Sequence, residues 1–241
     1  MHTPDFVYSG SELEGLADAR NYYGWLLRRF SPFVGAHVVE IGAGTGTFSE
    51  FLLTLPQVQR LVAIEPSENN FPTLSRRLAR DPRASAVKGY LKHAPANSAD
   101  TLVAVNVLEH IERDDEFLRE AWEKAHPGGT MLLFVPAVPA IFGSLDTAFE
   151  HFRRYTRTSL RQRVETAGWH IERLGYMNLP GILPWFVAGK VLRRTSIGTP
   201  ETRLYDRLVV PIAAAIEDRV TVPIGQSLIA IGRKKVASIT N

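Results

Sequence analysis

From residue 12 to 30 (ELEGLADARNYYGWLLRRF) apolar side chains recur three or four positions apart, at Leu13, Leu16, Tyr23, Leu26, Leu27 and Phe30. That period predicts an amphipathic helix over 12–30, stopped by Pro32. The pattern then changes to a short β-branched run, His37–Ile41, which ends in glycines and predicts a strand. Helical spacing returns over Thr47–Leu55, Phe71–Arg80, Asp114–Ala125 and Thr158–Ala167. The first three are ended by Pro56, Asp81-Pro82 and Pro127-Gly128-Gly129, and Thr156 or Thr158 can cap the last. Between and after them lie apolar runs that predict strands: Leu61–Ile64, Ala84–Val87, Thr101–Val105, Thr130–Val135, His170–Tyr176 and Ser227–Ile231. Residues 179–224 mix prolines, Trp185 and Phe186 with short apolar runs and resist assignment.

Strands that alternate with helices and are apolar nearly throughout predict an α/β fold. Its sheet is mostly parallel and covered by helices on both faces. The 241 residues are 45% hydrophobic and 22% charged, which excludes a disordered or low-complexity chain. Residues 1–241 read as a single domain, with a cover helix at 12–30 and a C-terminal lid or substrate elaboration over about 137–224. There is no Cys, so disulfides, thiolate catalysis and Cys-ligated zinc are excluded. Met1–Ser11 predicts no signal peptide, and no stretch reaches the roughly 20 apolar residues of a membrane span. The expected location is therefore cytoplasmic. Residues 1–140 carry 13 Lys+Arg against 17 Asp+Glu, and residues 141–241 carry 15 against 8. The basic half can meet something anionic or be a solvated face. Its arginines are scattered without interleaved aromatics, so nucleic acid is not expected as a partner.

The sharpest chemical signal is VVEIGAGTGTF, residues 38–48. A predicted strand ends at Ile41. Gly42, Gly44 and Gly46 follow at every second position, with Ala43 between the first two, and a helix begins near Thr47. Glycines here let a ligand approach main-chain N–H groups at a helix start. The dinucleotide fingerprint G-x-G-x-x-G fails because Thr47 stands where its last glycine belongs. Instead Glu40 precedes the loop. The next strand ends at Glu65, followed by Pro66, and an acidic residue there can accept hydrogen bonds from both hydroxyls of a ribose. Ligands of open α/β sheets sit off the carboxyl ends of strands, which places Asn106, Val107 and His110 near the reacting groups. Together these residues point to a nucleoside-bearing cofactor.

In these segments (38–48, 61–67, 100–112 and 127–136) the chain resembles the class I S-adenosylmethionine-dependent methyltransferases, in a form similar to types 11 and 12. The resemblance implies a Rossmann-like seven-stranded sheet with a reversed last strand, here Ser227–Ile231. It implies S-adenosyl-L-methionine as cofactor, with the Gly42–Gly46 loop under its methionine part and Glu65 on its ribose. The family's acidic residue at the adenine is missing, since Gly89-Tyr90-Leu91 stands there; Tyr90 or Leu91 is expected to pack on the ring instead. Tyr22, on the cover helix, is a candidate donor to the methionine carboxylate, or else a plain core residue.

A sulfonium methyl is already electrophilic, so alignment and water exclusion carry most of the work. A base is needed only if the accepting atom has a proton to lose. His110 and His151 are the candidate bases; each is equally well read as a structural contact. Asp146, Arg153, Arg154 and Tyr155 form the candidate acceptor site, because Arg offers a fork for an anionic group. The other reading is an ion pair that pins this loop to the domain. No metal is expected. The expected function is methyl transfer to a small-molecule or lipid-linked acceptor, with an anionic group as one reading. Residues 179–216 then serve as a lid, a membrane-surface contact or a homodimer contact. A nicotinamide oxidoreductase and a non-catalytic cofactor-binding partner of another enzyme are the alternatives.

Overall fold

The computed structural model describes residues 6–8, 18–94 and 99–236. Residues 12–17 of the first predicted helix lie outside the described residues. Its remainder forms α1 (Arg20–Phe30), and β1 (His37–Ile41), α2 (Thr47–Leu53), β2 (Arg60–Glu65), α3 (Phe71–Leu78), β3 (Ala84–Lys88) and β4 (Ala99–Val105) follow in turn. Then come α4 (Asp114–Lys124), β5 (Ala125–Pro136), α5 (Ser144–Ala148), α6 (Arg157–Thr166) and β6 (His170–Met177). The last part holds α7 (Ile182–Phe186), α8 (Thr199–Leu208), α9 (Val210–Glu217) and β7 (Ser227–Arg233).

The seven strands form one sheet in the order β3-β2-β1-β4-β5-β7-β6. β7 runs antiparallel to both β5 and β6, and the remaining pairs are parallel. The order reverses between β1 and β4, so a crevice opens off their carboxyl ends. Alternation along the central strands feeds two cores. Leu102, Met131 and Leu133 face α4 and α6, where Leu118, Ala121, Leu160 and Val164 meet them. Val103, Leu132 and Phe134 face the other way, against Trp25, Leu26, Phe48 and Leu52 of α1 and α2 and Ala213 and Ala214 of α9. Each large side chain buried in this way contributes on the order of 1.5–3 kcal/mol.

β5 starts earlier than its apolar run predicts. Ala125 pairs with Ala99 ahead of an irregularity that absorbs the Pro-Gly-Gly stop. Thr156 caps α6, its hydroxyl accepting from Ser159 N at 3.0 Å. Over 179–224 the fold supplies the helices that periodicity did not show. α8 ends where Pro211, which has no N–H to give, opens α9. The buried positions of this pair include Asp206, Val210, Ala213, Ala214 and Glu217, whereas Leu204, Leu208, Ile212 and Ile216 are 55–64% exposed.

Candidate active site

Two cavities lie off the carboxyl ends of β1, β2 and β4. The outer cleft, about 810 Å³, is lined by Gly42, Gly44, Glu65, Pro66, Tyr90, Leu91, Asn106 and Val107, all of them candidate cofactor residues. Gly42 and Gly44 have φ of +66° and +56°. A Cβ on Gly42 would stand 2.6 Å from Val107 Cγ2, so only glycine fits this turn. The Glu65 carboxylate ties the loop to β2. It accepts from Gly44 N at 2.7 Å, from Ser67 N at 3.0 Å and from the Ser67 hydroxyl. Asn106, at the end of β4, holds a positive φ of 52° while its N–H donates to Phe134 O. Strain of this kind gathers at sites where a side chain must be aimed.

Glu40, Ala43 and Gly46 do not line the cleft. Glu40 is buried behind the loop, accepts from the Ser49 hydroxyl, and is pushed up to about 8 by burial. Ala43 belongs to a small core cluster with Leu74 and Leu78. The sequence reading missed Phe6 and Tyr8, which cover the cleft from the other side. Tyr8 N donates to Asn69 Oδ1 at 3.1 Å, and Glu68 N donates to Phe6 O at 2.8 Å. No local pattern in so short a segment signals that contact.

The inner cavity, about 440 Å³, lies under α7, α8 and the loop between them. Its walls are mostly apolar, with Leu145, Phe149, Trp185, Val187 and Leu192 among them. Tyr22 is here rather than in the cleft, which corrects its expected place beside a cofactor carboxylate. α1 turns its ring toward Phe134, and its hydroxyl lies 3.5 Å from Ser227 Oγ. Burial pushes its phenol up to about 12. Asn106 and His110 line both cavities, so the two spaces meet at these side chains.

The fold divides the 146–155 cluster. Asp146 is fully buried and faces neither cavity. It accepts from Gly143 N at 3.0 Å, Arg154 Nε at 2.6 Å and Trp185 Nε1 at 3.1 Å, and pairs with His151 Nδ1 at 3.1 Å. These contacts outweigh its burial and hold its carboxyl below the usual range. Arg154 is also buried. It lines the inner cavity, but its guanidinium is already engaged by Asp146, the Ala137 carbonyl and the Trp185 ring. Arg153 and Tyr155 line neither cavity. Both bind Asp114 at the start of α4, Arg153 at 2.8 Å and the Tyr155 hydroxyl at 2.8 Å. Ion pairing that pins the loop thus accounts for Asp146, Arg153 and Tyr155, and corrects their expected place at the acceptor. His110 and His151 do come together, ring centroids 4.7 Å apart and edge to face. Burial, then the neighbouring His151, pushes the His110 imidazole down to about 3.

The strand order, the reversed β7 and a glycine loop facing an acidic strand end define the class I methyltransferase fold. The chain matches the methyltransferase-domain family over residues 10–174 and belongs to it, with S-adenosylmethionine as the methyl donor of that class. It is 28% identical over 142 residues to a Mycolicibacterium smegmatis protein named "probable S-adenosylmethionine-dependent methyltransferase", covering 57% of this chain and 53% of that one. It is 30% identical over 108 residues to a ubiquinone biosynthesis O-methyltransferase of Caulobacter vibrioides, covering 43% and 42%. The chain thus matches about half the length of these curated relatives. Among solved structures, a SAM-dependent methyltransferase of Archaeoglobus fulgidus superimposes with a TM-score of 0.61 at 16% identity, covering 92% of this chain and 97% of that one. Another, from Thermotoga maritima, gives 0.62 at 16%, covering 93% and 94%. At such identities the likeness concerns the fold alone.

Proposed function

We propose that this chain transfers a methyl group from S-adenosylmethionine to a hydrophobic acceptor, small or lipid-linked, held in the inner cavity. The carrying observation is that a cleft with a glycine loop and a facing carboxylate opens onto a separate apolar cavity at Asn106 and His110. The cleft suits the cofactor. A Cβ on Gly42 would clash with Val107, so the turn stays bare, and Glu65 lines the cleft beside it. Gly42 and Gly44 would flank the methionine part, and Tyr90 and Leu91 the adenine. When bound, the cofactor supplies an electrophilic methyl. The chain's own part is to align and to exclude water. Phe6 and Tyr8 cover one side, and Trp185, Val187 and Leu192 wall the other. Of the two guanidiniums that line the inner cavity among the described residues, Arg154 is committed to Asp146 and Arg194 pairs with Glu201 at 2.8 Å, so apolar contact dominates acceptor recognition.

Titration calorimetry with S-adenosylmethionine, its demethylated product and NAD tests the reading. The first two bind, and NAD does not. Glu65→Ala lowers affinity for both by roughly 10- to 100-fold, as hydrogen bonds to a charged group worth about 1.5–3 kcal/mol are lost. Binding of NAD alone overturns the proposal.

A further inference from the structure

The geometry points to a metal site: Glu109, His110 and His151 together bind one divalent first-row transition ion where the two cavities meet. The fold brings the three side chains together from β4's exit and the loop after α5, and one ligand atom from each lies within 4.8 Å of the others. Each imidazole is engaged through one ring nitrogen and keeps a second. His110 bonds the Glu150 backbone through one ring nitrogen, while its buried Nδ1 has no hydrogen-bond partner. His151 is anchored through Nδ1 to Asp146, which leaves its Nε2 unspent, and its ring packs edge to face with His110. A histidine whose far nitrogen is fixed by a carboxylate or a carbonyl is the usual arrangement of a metal ligand. Asp146 is itself fixed by Arg154, Gly143 N and Trp185 Nε1, so the anchor is rigid.

Two imidazoles and a carboxylate suit zinc, cobalt, iron or manganese better than magnesium or calcium. Metal bonds of about 2.0–2.2 Å require the three donors to draw together by roughly 1–2 Å, which side-chain rotation can supply. Glu109, His110 and His151 all line the inner cavity, so the open coordination positions face the acceptor. The ion's use rests on the proposed methyl transfer; its binding does not. An acceptor hydroxyl bound to the ion loses its proton more readily, and that proton passes to solvent water. The oxygen's electron pair then forms the bond to the methyl carbon, while the carbon–sulfur pair stays on sulfur.

The test is titration of the chelator-treated full chain with Co²⁺ and Zn²⁺, without cofactor. One ion per chain is expected, with visible Co²⁺ absorption bands of low-symmetry coordination. His110→Ala and His151→Gln each lower the affinity at least tenfold, and Asp146→Asn lowers it less. No ion bound by the wild type, or an affinity that both histidine variants leave unchanged, overturns the site. Should the variants fail to fold, the wild-type Co²⁺ spectrum and stoichiometry decide alone. S-adenosylmethionine is titrated into the same preparation. Ion binding without cofactor binding sinks the proposed function and keeps the site; cofactor binding without ion binding does the reverse.

Discussion

Glu40 and Glu65 close adjacent strands, yet the fold sets them to different tasks. Glu65 reaches round to the glycine loop, where three hydrogens converge on its carboxylate. Glu40 is walled in behind that loop with Ser49 as its partner, and burial raises its carboxyl from the usual 4.5 to about 8. The folded chain therefore keeps a proton that the unfolded chain has released. Stability from this group is full below pH 4.5 and declines as the pH climbs through about 8. Glu40→Gln, which cannot ionise, escapes that decline. Thermal melts from pH 4.5 to 9 should show the variant gaining on the wild type, by at most about 1.4 kcal/mol per pH unit. Parallel curves would place Glu40 in a wetter site than the structure shows. At this scale the glycines and Glu65 were legible, because loop chemistry is local. The partners of Arg153, Tyr155 and Tyr22 were not, because they come from distant parts of the chain.

Helix α1 begins without a cap of its own: Ala19 precedes it and offers no side-chain acceptor. The cap comes from α8, where buried Asp206 accepts from Asn21 N at 3.1 Å and from Tyr22 N at 2.8 Å. Glu217 of α9 does the same for the turn after β6, accepting from Asn178 N and Leu179 N at 2.9 Å each. These two carboxylates explain why 179–224 defied a reading by hydrophobic period. The inner faces of the last helices carry the acids, and leucines and isoleucines face outward. Asp206→Ala removes a cap worth about 1–2 kcal/mol, so Tm should fall by roughly 2–8 °C. Since the cap holds Tyr22's own N–H, acceptor turnover should fall more than cofactor affinity. An unchanged Tm would mean that solvent replaces the carboxylate.

Across the whole molecule, the outward row Leu204, Leu208, Ile212 and Ile216 runs beside Arg203, Arg207 and Arg219, all exposed. The same helices wall the inner cavity through Thr202, Tyr205 and Val210. Among the described residues no helix is long and apolar enough to cross a membrane. The proposed lipid-linked acceptor would give this stripe a use, since apolar side chains edged by arginines suit the headgroup boundary of an anionic bilayer. Vesicle flotation should show the chain on phosphatidylglycerol vesicles and much less on neutral ones. The double variant Leu208→Asp, Ile212→Asp should abolish it without lowering Tm, as both side chains are exposed. Wild-type protein left in the soluble fraction would remove the membrane from the account.

By itself the sequence determined the α/β alternation and the glycine turn followed by an acidic strand end, while the reversed last strand was implied by family resemblance. The alternation and the turn are written in contiguous residues whose periodicity or steric demand needs no distant partner. Only the tertiary structure decided which charges are spent on holding loops, where Tyr22 points, and that Glu109, His110 and His151 converge. Those outcomes depend on side chains far apart along the chain meeting in a dry interior, where each buried charge must find a partner.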